Sequence, residues 1–252
     1  MKGVILAGGT GSRLHPLTQI TNKHLLPIDE QPMVAYAIEA MVQAGITEVM
    51  LVSGGTHVGE FLRLLGTGHA YGLDLLTYAY QERPGGIGEA LGLAQRFVGD
   101  DRVVVMLADN LFERSIEPCI RAFDTQERGA RLVLAKLDEP SHLRHLGVPR
   151  LDGGRIVEII EKPQDPPSEY AVTGVYMYES SVFSVIPQLE PSARGELEIS
   201  DVNNHYVREG TVEYDVIEGF WGDAGESIDA YYQVNDYIRA HGANGAGPPS
   251  RG

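Results

Sequence analysis

The chain has 252 residues, 43% of them hydrophobic and 22% charged, enough to bury a sizeable core in one large domain or two closely joined lobes. Its 35 acidic against 20 basic residues give a formal charge of −15, which argues against nonspecific binding to nucleic acid or to an anionic membrane. No apolar run approaches the roughly 20 residues of a membrane span, the apolar start at Val4 to Ala7 is too short for a signal-peptide core, and the single Cys119 lacks a partner for a disulfide or a Cys-rich zinc site, so a cytoplasmic protein is expected.

Val4 to Ala7 reads as a buried strand that enters the glycine-rich stretch Gly8-Gly9-Thr10-Gly11-Ser12. The first 28 residues hold Lys2, Arg13, His15, Lys23 and His24 but no acid, which implies a locally positive pocket for an anionic ligand. After Pro32, which suits a first helical position, Met33, Ala37, Ile38, Met41 and Val42 recur at helical spacing until Gly45. Strands are predicted at Glu48 to Val52, Leu75 to Tyr80, Val103 to Leu107 and Leu132 to Ala135. Helical patterns lie between them at Phe61 to Leu65, Ile87 to Phe97 and Ile116 to Phe123. Such alternation predicts a largely parallel α/β sheet.

Beyond about residue 148 the strands shorten, near Arg155 to Ile160, Gly174 to Tyr178 and Val212 to Ile217, with Pro163, Pro166, Pro167 and Pro187 between them. That change predicts an added lobe, and so one domain over 1–240 made of halves at about 1–147 and 148–240. Residues 226–240 read as a helix, whereas 241–252 is a Gly/Pro/Ala/Asn stretch without periodicity, expected to be a disordered tail.

The glycine-rich loop fits neither of two common phosphate-binding patterns. A dinucleotide fingerprint starting at Gly9 needs a third glycine where Leu14 stands, and a P-loop needs Gly-Lys-Ser/Thr. What remains is a flexible loop whose backbone N–H groups can wrap a polyphosphate, followed by the Arg13 guanidinium, able to make bidentate phosphate contacts.

The stretch continues Arg13-Leu14-His15-Pro16-Leu17-Thr18 and then Lys23-His24-Leu25-Leu26-Pro27. Gly-Gly-x-Gly-x-Arg-Leu-x-Pro-x-Thr followed by Lys-x-Leu-Leu-Pro resembles the signature of the sugar-phosphate nucleotidyltransferases. The resemblance runs over about residues 1–240 and is closest to the short-form glucose-1-phosphate thymidylyltransferases. It implies a three-layer α/β/α, Rossmann-like nucleotidyltransferase fold with a mostly parallel central sheet and an added sugar-binding lobe. It also implies dTTP and glucose 1-phosphate as substrates, Mg²⁺ as cofactor and a homodimer or homotetramer, with no nucleic-acid or membrane partner.

The resemblance is carried over residue by residue. Leu107-Ala108-Asp109-Asn110-Leu111 is similar to the family's Gly-Asp-Asn block with alanine for glycine. Asp109 falls just past a predicted strand, where open α/β sheets gather ligands. By resemblance Asp109 and the Asp223 of Trp221-Gly222-Asp223-Ala224-Gly225 hold the metal, and hard carboxylate oxygens suit Mg²⁺. Arg13 and Lys23 are the catalytic cations. Gly8, Gly9, Thr10, Gly11, Arg13, Gln81, Gly86 and Asp109 form the nucleotide side, with the Gln81 amide offering the donor and acceptor that a pyrimidine edge requires. Uracil presents nearly the same edge, so a UTP-dependent pyrophosphorylase stays open as an alternative, as does a catalytically silent nucleotide-sugar sensor.

The sugar-phosphate side implied is Asn110, Gly147, Glu161, Lys162, Val172, Tyr176 and Arg194. Taken alone, Glu161-Lys162 reads as a solvated pair and Tyr176 as a core aromatic. Two departures from the family pattern stand near these positions: Leu146 precedes Gly147 where an aromatic is usual, and Glu226 replaces a threonine.

Overall fold

The computed structural model describes residues 1–137 and 139–248. Its strands are β1 (Lys2–Ala7), β2 (Pro27–Ile28), β3 (Gln31–Pro32), β4 (Glu48–Gly54), β5 (Leu75–Gln81), β6 (Val103–Leu107), β7 (Asn110–Phe112), β8 (Ala130–Lys136), β9 (Gly147–Asp152), β10 (Arg155–Glu161), β11 (Tyr170–Tyr178), β12 (Val212–Val216) and β13 (Trp221–Asp223). The helices are α1 (Met33–Gln43), α2 (Val58–Leu65), α3 (Ile87–Gly92), α4 (Gln95–Val98), α5 (Glu117–Thr125), α6 (Pro140–Leu143), α7 (Val182–Val185), α8 (Ile199–Arg208) and α9 (Ile228–His241). Among the described residues no helix is long and apolar enough to cross a membrane.

The main sheet has seven strands in the order β12-β8-β11-β6-β1-β4-β5. Pairings β1–β4, β4–β5 and β8–β12 are parallel, and β11 runs antiparallel to β8. This is the mostly parallel α/β architecture that the alternation predicts. The apolar run of β1 exists because it is buried on both faces: Val4, Ile5 and Ala7 are fully covered. In α1 the apolar spacing likewise turns Met33, Val34, Ala37, Ile38 and Met41 inward. Pro32 caps this helix rather than occupying its first turn.

Three expectations are corrected. The late strands do not all form a separate lobe. At nine residues β11 is the longest described strand and, with β12, belongs to the main sheet, while β9 and β10 pair with each other as a separate antiparallel ribbon. The prolines read as interruptions lie in the connections, not in β11. The chain also does not divide into consecutive halves at residue 147. One compact unit contains Met1, Gly85–Val105 and Cys119–Glu218; the other contains Lys2–Pro84, Met106–Pro118 and the chain from Gly219 onward. The middle segment 106–118 joins the second unit because it bonds to both ends of the sequence. Ala108 N–H donates to the Leu6 carbonyl at 3.0 Å, and β7 pairs with β13.

The third correction concerns the tail. Beyond α9, Ala243 and Asn244 are buried. Asn244 N–H donates to the Phe112 carbonyl at 2.8 Å and Gly245 N–H to the Glu113 carbonyl at 2.7 Å, while the Asn244 amide reaches the Tyr36 carbonyl at 3.0 Å. These bonds, with the packing of Ala243 into the core, hold this turn without any hydrophobic periodicity. The last part of the expected tail, 249–252, lies outside the described residues.

Candidate active site

In the unit that begins at Lys2, β1 delivers the chain into the glycine loop. Gly9 (φ 94°) and Gly11 (φ 63°) are in the left-handed region, which side-chain-bearing residues rarely adopt. The loop is closed by Thr18, whose hydroxyl donates to the Gly11 carbonyl at 2.8 Å. A short 3₁₀ turn, Ser12–Leu14, buries Leu14 and leaves the neighbouring Arg13 exposed. Gln81 ends β5 opposite Gly54, and its side-chain oxygen stands 3.3 Å from where a Gly8 Cβ would be. The structure therefore brings Gln81 to the start of the loop.

A second 3₁₀ turn, Lys23–Leu25, aims the lysine. Asn22 caps it, its side-chain oxygen accepting from His24 N–H at 2.9 Å. Lys23 Nζ then lies 2.5 Å from Asp109 Oδ2. Burial alone would lower this ammonium, but the charges of Asp109 and Asp223 outweigh burial and the repulsion of Arg13, and hold it above its ordinary value. The buried His24 ring, with Nε2 3.8 Å from Asp109 Oδ2, is pushed down to about 3 by burial and by Lys23, and stays neutral.

Asp109 and Asp223 are 114 residues apart in sequence and are brought together by a short ribbon. Strands β7 and β13 pair antiparallel with Asn110 opposite Asp223, and Ala224 N–H donates to the Asp109 carbonyl at 2.9 Å. Gly225 N–H donates to Asp223 Oδ1 at 2.8 Å. Burial would raise the Asp109 carboxyl, but Lys23, His24 and the hydrogen bonds from Lys23 and Asn110 pull it below the usual range. Asp223 is pushed up to about 7 by burial and by the Asp109 charge. One ammonium thus faces two carboxylates, Asp109 buried and Asp223 half-buried, an excess of negative charge that an added cation would relieve. Among the described residues no cluster of three or more His, Cys, Asp or Glu could hold a metal. Two carboxylates nevertheless suit Mg²⁺, which completes its shell with water and substrate phosphates.

The other unit holds a second constellation. A pocket of about 310 Å³ is lined by Ile159, Glu161, Lys162, Arg194, Ser200 and Asp201, among others. Glu161 is its centre: Ser200 Oγ donates to Oε2 at 2.6 Å, and Lys162 Nζ and Arg194 lie 3.3 and 3.8 Å from Oε1. Helix α8 fixes this strand end twice, since Asn204 also clamps both backbone groups of Ile159 at 2.8 and 2.7 Å. Arg194 is shared with Glu198 at 2.8 Å and Glu196 at 3.4 Å. Asp201 is raised above its ordinary value by burial and by the Glu198 charge. Carboxylates, cations and a hydroxyl around one cavity provide the donors and acceptors that a polyhydroxylated, phosphorylated ligand needs. In the same unit Gly86 (φ 94°) packs on Leu197, where a Cβ would lie 2.5 Å from the Leu197 carbonyl oxygen.

The family described as Nucleotidyl transferase matches residues 2–241. The chain belongs to the nucleotidyl transferase family. This family member is 40% identical over 245 residues to the glucose-1-phosphate thymidylyltransferase of an Actinoplanes species, covering 95% of this chain and 78% of the relative. It is 39% identical over 231 residues to the low-salt glycan biosynthesis nucleotidyltransferase Agl11 of Haloferax volcanii, covering 91% of this chain but 64% of that longer protein. A Bacillus anthracis structure described as a glucose-1-phosphate thymidylyltransferase in complex with sucrose superposes with a TM-score of 0.89 at 46% identity, covering 95% of both chains. A UDP-glucose pyrophosphorylase at 21% identity, with a TM-score of 0.81, shares the fold.

In this nucleotidyl transferase, Gly8, Gly9, Thr10, Gly11, Arg13, Lys23, Gln81, Asp109, Asn110 and Asp223 fall in one unit, and Gly86, Gly147, Glu161, Lys162, Val172, Tyr176 and Arg194 in the other. Gly147 faces Glu161 across β9–β10. Val172 is buried in β11, just before an irregularity in its pairing with β8. Tyr176 is 4% exposed and stacks on Tyr178, which is a core aromatic's position rather than a pocket wall's. Asn110 bonds to Asp109 and Trp221. Sequence reasoning missed Ser200, although Glu196-Leu197-Glu198-Ile199-Ser200-Asp201 was legible as a block, and it missed Trp221 as a polar partner.

Proposed function

We propose that the chain transfers a thymidylyl group from dTTP to α-D-glucose 1-phosphate, giving dTDP-glucose and pyrophosphate. The observation that carries this reading is the pairing of the half-buried Lys23 with the buried Asp109 beside Asp223, in the same unit as the glycine loop and Arg13. An oxygen of the sugar phosphate attacks the α-phosphorus of dTTP in line with the departing pyrophosphate. One P–O bond forms as another breaks, and no enzyme nucleophile is required.

The residues then divide by task. The loop N–H groups and Arg13 cradle the polyphosphate, and Lys23 neutralises charge that develops on the transferring group. Asp109 and Asp223 would hold Mg²⁺, which when bound supplies further charge neutralisation at the phosphate oxygens. Gln81 reads the pyrimidine edge. Discrimination against UTP rests on the thymine methyl, a contact worth about 1–3 kcal/mol, so UTP is a slower substrate. In the other unit Glu161, oriented by Ser200, accepts from sugar hydroxyls, while Lys162 and Arg194 meet the sugar phosphate and Gly147 and Val172 line the sugar. Assembly into a homodimer or homotetramer in the cytoplasm belongs to the same reading.

The test is pyrophosphate release from dTTP and glucose 1-phosphate, with and without Mg²⁺. Release that depends on both substrates and stops on chelation supports the proposal; a chain that binds nucleotide but never releases pyrophosphate with any sugar phosphate is a sensor instead.

A further inference from the structure

We propose that Asp201 is a specificity-determining residue of the pocket around Glu161, its carboxylate accepting a hydrogen bond from a hydroxyl of the bound sugar. This deepens, and rests on, the reading of that pocket as the sugar site.

Three carboxylates, Glu161, Glu198 and Asp201, line the cavity of about 310 Å³. Two of them are committed. Glu161 accepts the Ser200 hydroxyl on Oε2 and has Lys162 Nζ 3.3 Å from Oε1. Glu198 Oε1 accepts from the Ser192 hydroxyl at 2.7 Å and from Arg194 at 2.8 Å. The two cations are engaged by these same contacts, and Arg194 also reaches Glu196 at 3.4 Å. Asp201 differs: among the described residues its carboxylate makes no hydrogen bond and no ion pair, and Arg208 acts on it only through its charge.

This position has a chemical preference. Asp201 is half-buried, and burial together with the charges of Glu198 and Glu161 raises its carboxyl above the ordinary value. An ionised carboxylate can only accept hydrogen bonds, so an occupant that supplies a donor relieves it. A phosphate oxygen brings another negative charge and no donor. A sugar hydroxyl brings a donor and no charge.

The fold holds the carboxylate beside Glu161. Asp201 lies in the first turn of α8, directly after Ser200, and the 2.6 Å bond from Ser200 to Glu161 ties that turn to the end of β10. Asn204, on the other side of Asp201, clamps both backbone groups of Ile159. The helix is therefore pinned to the strand on either side of the residue. An acid in a first turn also favours the positive end of its helix, but that effect operates in the free chain and is indifferent to the sugar.

Substrate analogues separate the two roles. The experiment measures pyrophosphate release by the full-length wild type, Asp201→Ala and Asp201→Asn, with glucose 1-phosphate and each of its monodeoxy analogues. Asp201→Ala should raise KM for glucose 1-phosphate about 10-fold, the size of a lost hydrogen bond to a charged group, and leave KM for dTTP unchanged. Asp201→Asn keeps an acceptor oxygen and should recover part of the loss. With the analogue that lacks the contacted hydroxyl, the wild type should already show the raised KM and Asp201→Ala should add little, because residue and hydroxyl belong to one interaction. Where the alanine variant does not fold, the near-isosteric asparagine variant gives the same analogue test with a smaller loss.

A KM for glucose 1-phosphate unchanged by the substitution, or raised equally for glucose 1-phosphate and every analogue, would overturn the proposal. A lowered thermal midpoint with unchanged KM would overturn it too, and would assign Asp201 to the helix end. If only this role fails, the wild type still releases pyrophosphate from dTTP and glucose 1-phosphate. A wild type that releases none with any sugar phosphate removes the underlying reading and this one with it.

Discussion

Replacing Gly225 with alanine tests the Lys23–Asp109 geometry without touching either side chain. A Cβ at this position would run into Asp109 Oδ2 and stand 2.8 Å from Lys23 Nζ and 3.2 Å from Asp109 Cγ. Ordinary contact begins at 3.4 Å, so the ammonium must retreat by about 0.6 Å and the carboxylate oxygen by more. Backbone strain is not involved, because Gly225 is absent from the glycines with positive φ. Displacement of catalytic groups by about 1 Å can cost roughly 100-fold in rate, or about 2.7 kcal/mol of transition-state stabilisation. Steady-state pyrophosphate release should therefore fall by about two orders of magnitude, while the thermal midpoint moves little. A Gly225→Ala enzyme with more than about a third of wild-type turnover would refute the claim that this pair is at the reaction centre.

Lys23→Ala should lower turnover by at least about 100-fold in the same assay, and near-normal turnover would remove its assigned role. Ser200→Ala deletes the 2.6 Å bond to Glu161; a hydrogen bond to a charged group is worth about 1.5–3 kcal/mol, so KM for glucose 1-phosphate should rise at least about 10-fold with a smaller change in kcat. The Cys119 thiol is pushed up to about 12 by burial and by the Asp215 charge. Its reactive thiolate is therefore suppressed below that pH, and a colorimetric thiol reagent at pH 8 should react only after denaturant is added. Truncation after His241 removes the three hydrogen bonds of the Asn244–Gly245 turn and should lower the thermal midpoint by roughly 5–10 °C.

What was legible in the sequence follows from what is local. The run Val4 to Ala7, the glycine loop and the helix after Pro32 are each set by neighbours in the chain, and the structure reproduces them as β1, the loop and α1. Alternation of such segments was enough to predict the mostly parallel sheet. The β7–β13 ribbon was not legible, because two three-residue strands carry no periodicity and their pairing joins Asn110 to Asp223 across the sequence. The placement of β11 and β12 in the main sheet is likewise decided by long-range pairing with β8. The turn at Ala243 and Asn244 has the composition of a disordered tail, yet it is ordered by two backbone hydrogen bonds, the Asn244 side-chain amide and the burial of Ala243, none of which leaves a periodic pattern.

Motifs located most of the candidate site residues but did not give their partners. Glu161 could be named from Glu161-Lys162-Pro163, whereas its bond from Ser200 depends on α8 packing beside β10. Tyr176 shows the converse: its motif suggested the sugar pocket, but its burial beside Tyr178 is that of a core residue.

The most direct measurement is a competition in which dTTP and UTP are supplied at equal concentration with Mg²⁺ and glucose 1-phosphate, and the nucleotide sugars formed are identified by mass. The account predicts dTDP-glucose as the main product with a minor share of UDP-glucose. A product mixture dominated by UDP-glucose would contradict the assignment of dTTP as the substrate and the reading of Gln81.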